Sequence, residues 1–227
     1  GREISALVNT PLATAEYPRL SPEGRRLALV VAGDVWVYDL EGRPPIKITF
    51  DGDHYAPLWT PDGRRLVYES NAPNTLKSLP ADGSGGAPEV MTPVLHFHPH
   101  GWVADGQELL VVGFDRPTGV DILRIRPGEK SEPQVVVQTP AAEGALGATL
   151  SPDGRWLAYV SDATGQSEIW VRPYPGPGAA ARVSPNGGIE PVWARNGREL
   201  YYFESGKLMA MAVDARAEFS FKPPTPL

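Results

Sequence analysis

Three of the four histidines in the chain stand at alternate positions in one short stretch, "VLHFHPHGW". They are His96, His98 and His100. Neutral imidazoles are good ligands for zinc, copper or nickel. On an extended strand, side chains two apart point to the same face. They also stand ~7 Å apart along it, so two of them chelate one ion only with rotamers turned inward. A productive site normally adds a carboxylate or a further histidine, and Asp53, His54, Glu16 and Glu190 are the candidates to supply it, with Tyr55 beside them. The plain alternative is a set of polar strand residues hydrogen-bonded to backbone or water. Choosing between the two requires the elements that carry these residues.

Those elements come from a repeat. Five segments share one head: "SPEGRRLALV", "TPDGRRLVYE", "VADGQELLVV", "SPDGRWLAYV" and "ARNGRELYYF". Their glycines are Gly24, Gly63, Gly106, Gly154 and Gly197, at spacings of 39, 43, 48 and 43. A period of ~40–45 residues is that of a four-stranded propeller blade. Each head is a turn in which Pro fixes φ, Asp bonds nearby backbone and Gly takes a positive φ. A period-2 run follows, such as Leu27, Leu29 and Val31, which reads as a strand. A strand precedes each head, as in "HYAPLW" and "IEPVW", and a third and fourth follow, as in "DVWVYDLEG" and "IKITF". No segment carries a sustained helical period.

The expected fold is therefore an all-β propeller of four-stranded antiparallel blades in one domain spanning residues 1–227. The blades are expected at about 15–50, 53–93, 95–140, 144–184 and 188–227, with 1–12 as an outer strand that closes the assembly. Such closure removes an open sheet edge. Aligning Trp102 with Trp59 places the histidine stretch on the innermost strand of the third blade, where His98 matches Tyr55 and His96 matches Asp53. Glu16, Leu146 and Ile189 hold the Tyr55 position in the other blades. The site candidates Glu16, Asp53, His54, Tyr55, His96, His98, His100 and Glu190 are then expected at the mouth of a central channel.

Other clusters read as structure. Glu23, Asp62, Asp105 and Asp153 recur once per blade, whereas calcium needs six to eight oxygens converging on one point. Trp59, Trp102 and Trp193 share one repeat slot, and Trp36 and Trp170 another, which is the pattern of packing between blades. There is no G-x-S-x-G elbow and no H-E-x-x-H. The glycine-rich "GSGGAP" and "GPGAAA" lack the helix that a phosphate cradle needs.

A net charge of −6, with Lys and Arg scattered singly or in pairs, argues against nucleic acid. Zero cysteines exclude disulfides, thiolate metal sites and cysteine nucleophiles. No apolar run reaches the ~20 residues of a membrane-spanning helix. No signal peptide is visible, and the start at Gly1 reads as a processed or trimmed domain.

The heads, together with "DVWVYDL", "SEIWVRPYPG" and "VWARNGRELYY", resemble TolB-type propeller repeats over nearly the whole chain. More narrowly, the run from "DVWVYDLEGRPPIKITF" onward is similar to propellers found C-terminal to bacterial serine/threonine protein kinases. That resemblance implies six blades, the closing one incomplete here, and an extracytoplasmic or periplasmic setting. The expectation is a non-catalytic module, with no cofactor and no resident metal, that binds a protein, peptide or small molecule within a larger signalling protein. The alternatives are a propeller enzyme of lactonase or lyase type with a metal at the channel mouth, and the gating propeller of a peptidase.

Overall fold

The computed structural model describes residues 15–71, 73–92, 96–103, 106–129, 131–215 and 218–227, with 115 and 116 described by their backbone. Among these residues the chain forms strands and no helix. The fold is all-β, with five four-stranded propeller blades whose strands run antiparallel. The first blade holds β1 (Ala15–Leu20), β2 (Arg26–Val31), β3 (Asp34–Asp39) and β4 (Ile46–Lys47). The second holds β5 (His54–Trp59), β6 (Arg65–Asn71), β7 (Asn74–Pro80) and β8 (Glu89–Val90). The third holds β9 (Phe97–Trp102), β10 (Leu109–Arg116), β11 (Gly119–Ile125) and β12 (Gln134–Val137). In the fourth are β13 (Glu143–Leu150), β14 (Trp156–Ser161), β15 (Glu168–Pro173) and β16 (Ala181–Arg182). The fifth has β17 (Ile189–Trp193), β18 (Glu199–Glu204), β19 (Lys207–Asp214) and β20 (Ser220–Phe221), and β21 (Thr225–Pro226) also pairs with β19. The strand expected at 1–12 lies outside the described residues, as does Asp105.

The repeated heads fold as their chemistry dictates. In all five, the glycine N–H donates to the carbonyl three residues earlier, as from Gly63 to Thr60 and from Gly154 to Ser151, both at 2.8 Å. Asp62 Oδ1 accepts from Thr60 Oγ1 at 2.6 Å and from the Arg64 N–H at 3.0 Å, and Asp153 does the same with Ser151 and Arg155. These acids are turn formers, each consumed by its own loop.

The chain divides into two compact units: the described parts of 1–99 with 126–131, and of 100–125 with 132–227. In the first, Val30, Val37 and Ile48 pack with Trp59, Leu66, Tyr68 and Leu79 in one core. Trp59 also pins β5 to β1, since its Nε1 donates to the Arg19 carbonyl at 2.8 Å. Arg26 lies 4.5 Å over the same ring and donates to the Gly63 carbonyl at 2.7 Å. In the second unit Trp193 Nε1 donates likewise to the Thr149 carbonyl, at 3.3 Å. Its cores join Leu110, Val112 and Ile122 to Leu157 and Tyr159, and Val160 and Ile169 to Leu200 and Tyr202. At Trp59 and Trp193 the repeated tryptophan thus serves contact between blades.

Within each unit the first strands carry a feature that simple alternation does not reveal. Tyr17, Ala56 and Glu190 have φ of 53°, 46° and 54°, each directly before a proline. The register of β1 with β2, β5 with β6, and β17 with β18 breaks at those places. Each is a bulge that re-aims the side chains on its flanks. Uninterrupted period-2 counting along these strands is therefore corrected.

Candidate functional site

The site begins with a residue that does not belong in its slot. Six positions after the head glycine, the second strand buries an apolar side chain in three blades, where Val30, Val112 and Val160 fill the slot. The fifth blade has Phe203 there. The second blade has Glu69, which is 1% exposed and pairs across the sheet with Tyr55. An ionised carboxylate in such a place is costly unless charge or hydrogen bonds compensate it.

Compensation comes from the histidine stretch. His98 Nε2 is 2.8 Å from Glu69 Oε2, and His96 Nε2 is 3.4 Å from Oε1. The two imidazole rings meet edge to face with centroids 5.5 Å apart. Even so, neither Glu69 oxygen has a donor hydrogen aimed at it. The contact sets two imidazole nitrogens against two carboxylate oxygens without a directed N–H···O bond. Both imidazoles are about one-third exposed or less, so one side of the group is open to solvent. Tyr17 and Tyr55, edge to face at 6.4 Å, complete the surroundings. Burial raises the Tyr17 phenol above its ordinary value, and the negative charges of Glu16 and Glu69 add to the effect.

Of the residues singled out in the sequence, His96, His98 and Tyr55 come together around Glu69 in the first unit. Glu16 is exposed on β1. Asp53 uses its backbone carbonyl to accept from the Asn71 N–H at 3.2 Å and joins no cluster of potential ligands. His100 belongs to the second unit, where its Nδ1 accepts from the Ala148 N–H at 3.3 Å. The clustered potential ligands of the first unit include His96 and His98. Glu190 is an exposed bulge residue of the second unit and is not part of the group. Glu69 and Tyr17 were not anticipated. The signal for Glu69 was present all the same: it is the one charged residue in a slot that is apolar in the other four repeats.

His54 proves to belong elsewhere. It is buried, its Nε2 contacts Asp51 Oδ1, and it lies with Asp34 in a second acid–imidazole group. There Asp34 Oδ2 already holds the Lys47 ammonium at 2.7 Å. Asp34 Oδ1 accepts from Thr49 Oγ1 and the Gly52 N–H, each at 3.1 Å. Thr49 Oγ1 in turn accepts from the Val35 N–H at 2.8 Å. Lys47 neutralises Asp34, and the group is a latch that ties the first blade to the start of the second. Related hydroxyls close other blades: Thr92 accepts from the Leu76 N–H and Ser184 from the Ile169 N–H.

Blades of this construction, a head turn followed by alternating strands, define a TolB-like β-propeller fold. No family model matches the chain. An uncharacterized protein of Agrobacterium fabrum is 30% identical in a match covering 74% of this chain and 58% of that protein, so the chain spans well under two thirds of that relative. Among solved structures, a TolB candidate from Agrobacterium tumefaciens superposes with a TM-score of 0.75 at 24% identity, over 92% of this chain and 79% of the other. TolB from Acinetobacter baumannii gives 0.70 at 19% identity, over 93% and 54%. A chain of a nidogen/laminin complex also gives 0.70, at 14% identity over 87% and 75%. These likenesses establish the fold.

Proposed function

We propose that the chain is a non-catalytic recognition module of a larger bacterial signalling protein, and that it engages a peptide, protein or small molecule through the face bearing Glu69, His96 and His98. One observation carries the reading: a carboxylate stands in a buried slot that sister blades fill with valine. Such a substitution costs stability, and stability is commonly given up where a site must act. The acid is backed by rigid strands and faced by partly exposed imidazoles and phenols, the arrangement of binding groups on a fixed scaffold. Its negative charge selects for a positively charged group on the ligand. The relative's greater length and the resemblance to kinase-linked propellers support placement within a larger protein.

The test is a calorimetric titration of the wild type and Glu69→Val with three kinds of cation: a primary amine, an arginine-containing peptide and a divalent metal. Saturable binding of at least one, lost in Glu69→Val with the fold intact, is the expected result. Binding that is indifferent to the substitution, or absent for all three, overturns the reading.

A further inference from the structure

We infer that Glu69, His96 and His98 form a binding site for one divalent transition-metal ion of the zinc class, with at least one coordination position open to an external ligand. This inference rests on the recognition reading above and specifies what is recognised.

The donor set comes first. Two imidazole nitrogens and one carboxylate oxygen lie within 4.8 Å of one another. Ligand atoms ~2.1 Å from a tetrahedral zinc stand ~3.4 Å apart, and His96 Nε2 and Glu69 Oε1 are separated by 3.4 Å. The 2.8 Å between His98 Nε2 and Glu69 Oε2 needs a small outward adjustment of one partly exposed imidazole. Calcium and magnesium call for shells made of oxygen, which one carboxylate does not supply. Imidazole with carboxylate suits zinc and its neighbours.

The second observation is independent of spacing. Both oxygens of Glu69 are buried, and neither has a hydrogen bond aimed at it. Buried carboxylate oxygens that accept no directed hydrogen bond are rare, and here they lie 3.4 and 2.8 Å from the two imidazoles that would share the ion. Three protein ligands with solvent on one side is the pattern of a zinc site that keeps a position free. The neighbouring Asp34 group makes the contrast, because Lys47 already neutralises it.

The experiment uses the untagged chain, stripped with chelator, and titrates zinc chloride by calorimetry with metal content checked by elemental analysis. One equivalent per chain is expected, weakened about tenfold or more by His96→Ala and by His98→Ala. Glu69→Val, which restores the residue of the sister blades, is expected to lose stoichiometric uptake while melting cooperatively. Cobalt substitution adds a visible-band signature of four-coordinate nitrogen and oxygen ligation, expected in the wild type and absent in His98→Ala. Zinc uptake that is sub-stoichiometric, or unaffected by Glu69→Val and His98→Ala, overturns the site as adventitious. If the amine or the arginine peptide binds in a Glu69-dependent way and zinc does not, the metal inference falls and the recognition reading stands. If none binds, both fall.

Discussion

His98 Nε2 lies 2.8 Å from Glu69 Oε2, so a residue of β9 sets an imidazole nitrogen against an acid buried on β6. The pair links the two features that set this chain apart from a plain repeat: alternating histidines on one strand and a carboxylate in an apolar slot.

Because the pair is mostly buried, its two halves should respond in opposite ways to removal. Glu69→Val replaces the acid with the residue of three other blades, and exchanging a buried ionic group for a well-packed apolar one is neutral or stabilising by about 1–4 kcal/mol. His98→Ala instead leaves the carboxylate without its nearest compensating group, at a cost of about 1–3 kcal/mol. In the double variant that cost should largely disappear. Urea denaturation of all four proteins measures the cycle, and additive effects would refute the coupling.

Much of the fold could be read from the sequence because it rests on local chemistry repeated five times. The head turns at Gly24, Gly63, Gly106, Gly154 and Gly197 recur in every blade, and the slot of Trp59, Trp102 and Trp193 in three. The site was legible only in part. His96 and His98 announced themselves, but their acid was sought on first strands, at Glu16, Asp53 and Glu190. Period-2 reading treats a polar residue such as Glu69 as a solvent-facing position, and only comparison across blades reveals its slot as apolar. His54 contacts Asp51 three residues away and lies in a group with Asp34, while His100 accepts from Ala148, 48 residues distant, a pairing that no local pattern encodes. The bulges at Tyr17, Ala56 and Glu190 escaped because a positive φ before proline leaves no trace in hydrophobic alternation.

The Asp34 latch should be a major stabiliser of the first unit. Its carboxylate serves Thr49, the Gly52 N–H and Lys47 at once from a buried position. Asp34→Ala strands all three and is expected to cost about 2–4 kcal/mol. Asp34→Asn keeps a carbonyl acceptor and should cost less. Thermal melts of the two variants decide, and equal losses would mean that the hydrogen bonds contribute little beside the Lys47 pair.

Two glycines separate strain from crowding. Gly33 has a φ of +78°, and a Cβ there would meet the Gly52 carbonyl oxygen at 2.2 Å. Gly42 has a φ of +102° with nothing within 4 Å of the same position. Gly42→Ala should therefore cost only the backbone term of about 1–2 kcal/mol. Gly33→Ala adds a backbone collision where the latch begins and should cost about 3 kcal/mol or more. Chemical denaturation of the pair is the check, and similar losses would show that the 33–52 contact relaxes freely.

The second unit carries its own acid dependence. Burial opposes ionisation of Glu168, but hydrogen bonds from Thr164 at 2.6 Å and Gln166 at 2.8 Å, with the Arg182 charge, outweigh it and hold the carboxyl below its ordinary value. Between the lowered folded pKa and the unfolded value of ~4.3, the unfolded chain binds more protons than the folded one. The stabilisation is therefore fully present above ~4.3 and is lost as pH falls through the folded pKa. Asp153 shifts the same way, with Ser151 and Arg155 overcoming its burial. Urea midpoints measured from pH 7 down to about 3 should fall in the acid range. Glu168→Gln, which cannot ionise, should be less stable at pH 7 and should lose less on acidification. A variant whose acid decline parallels the wild type would show that Glu168 is not among the groups responsible.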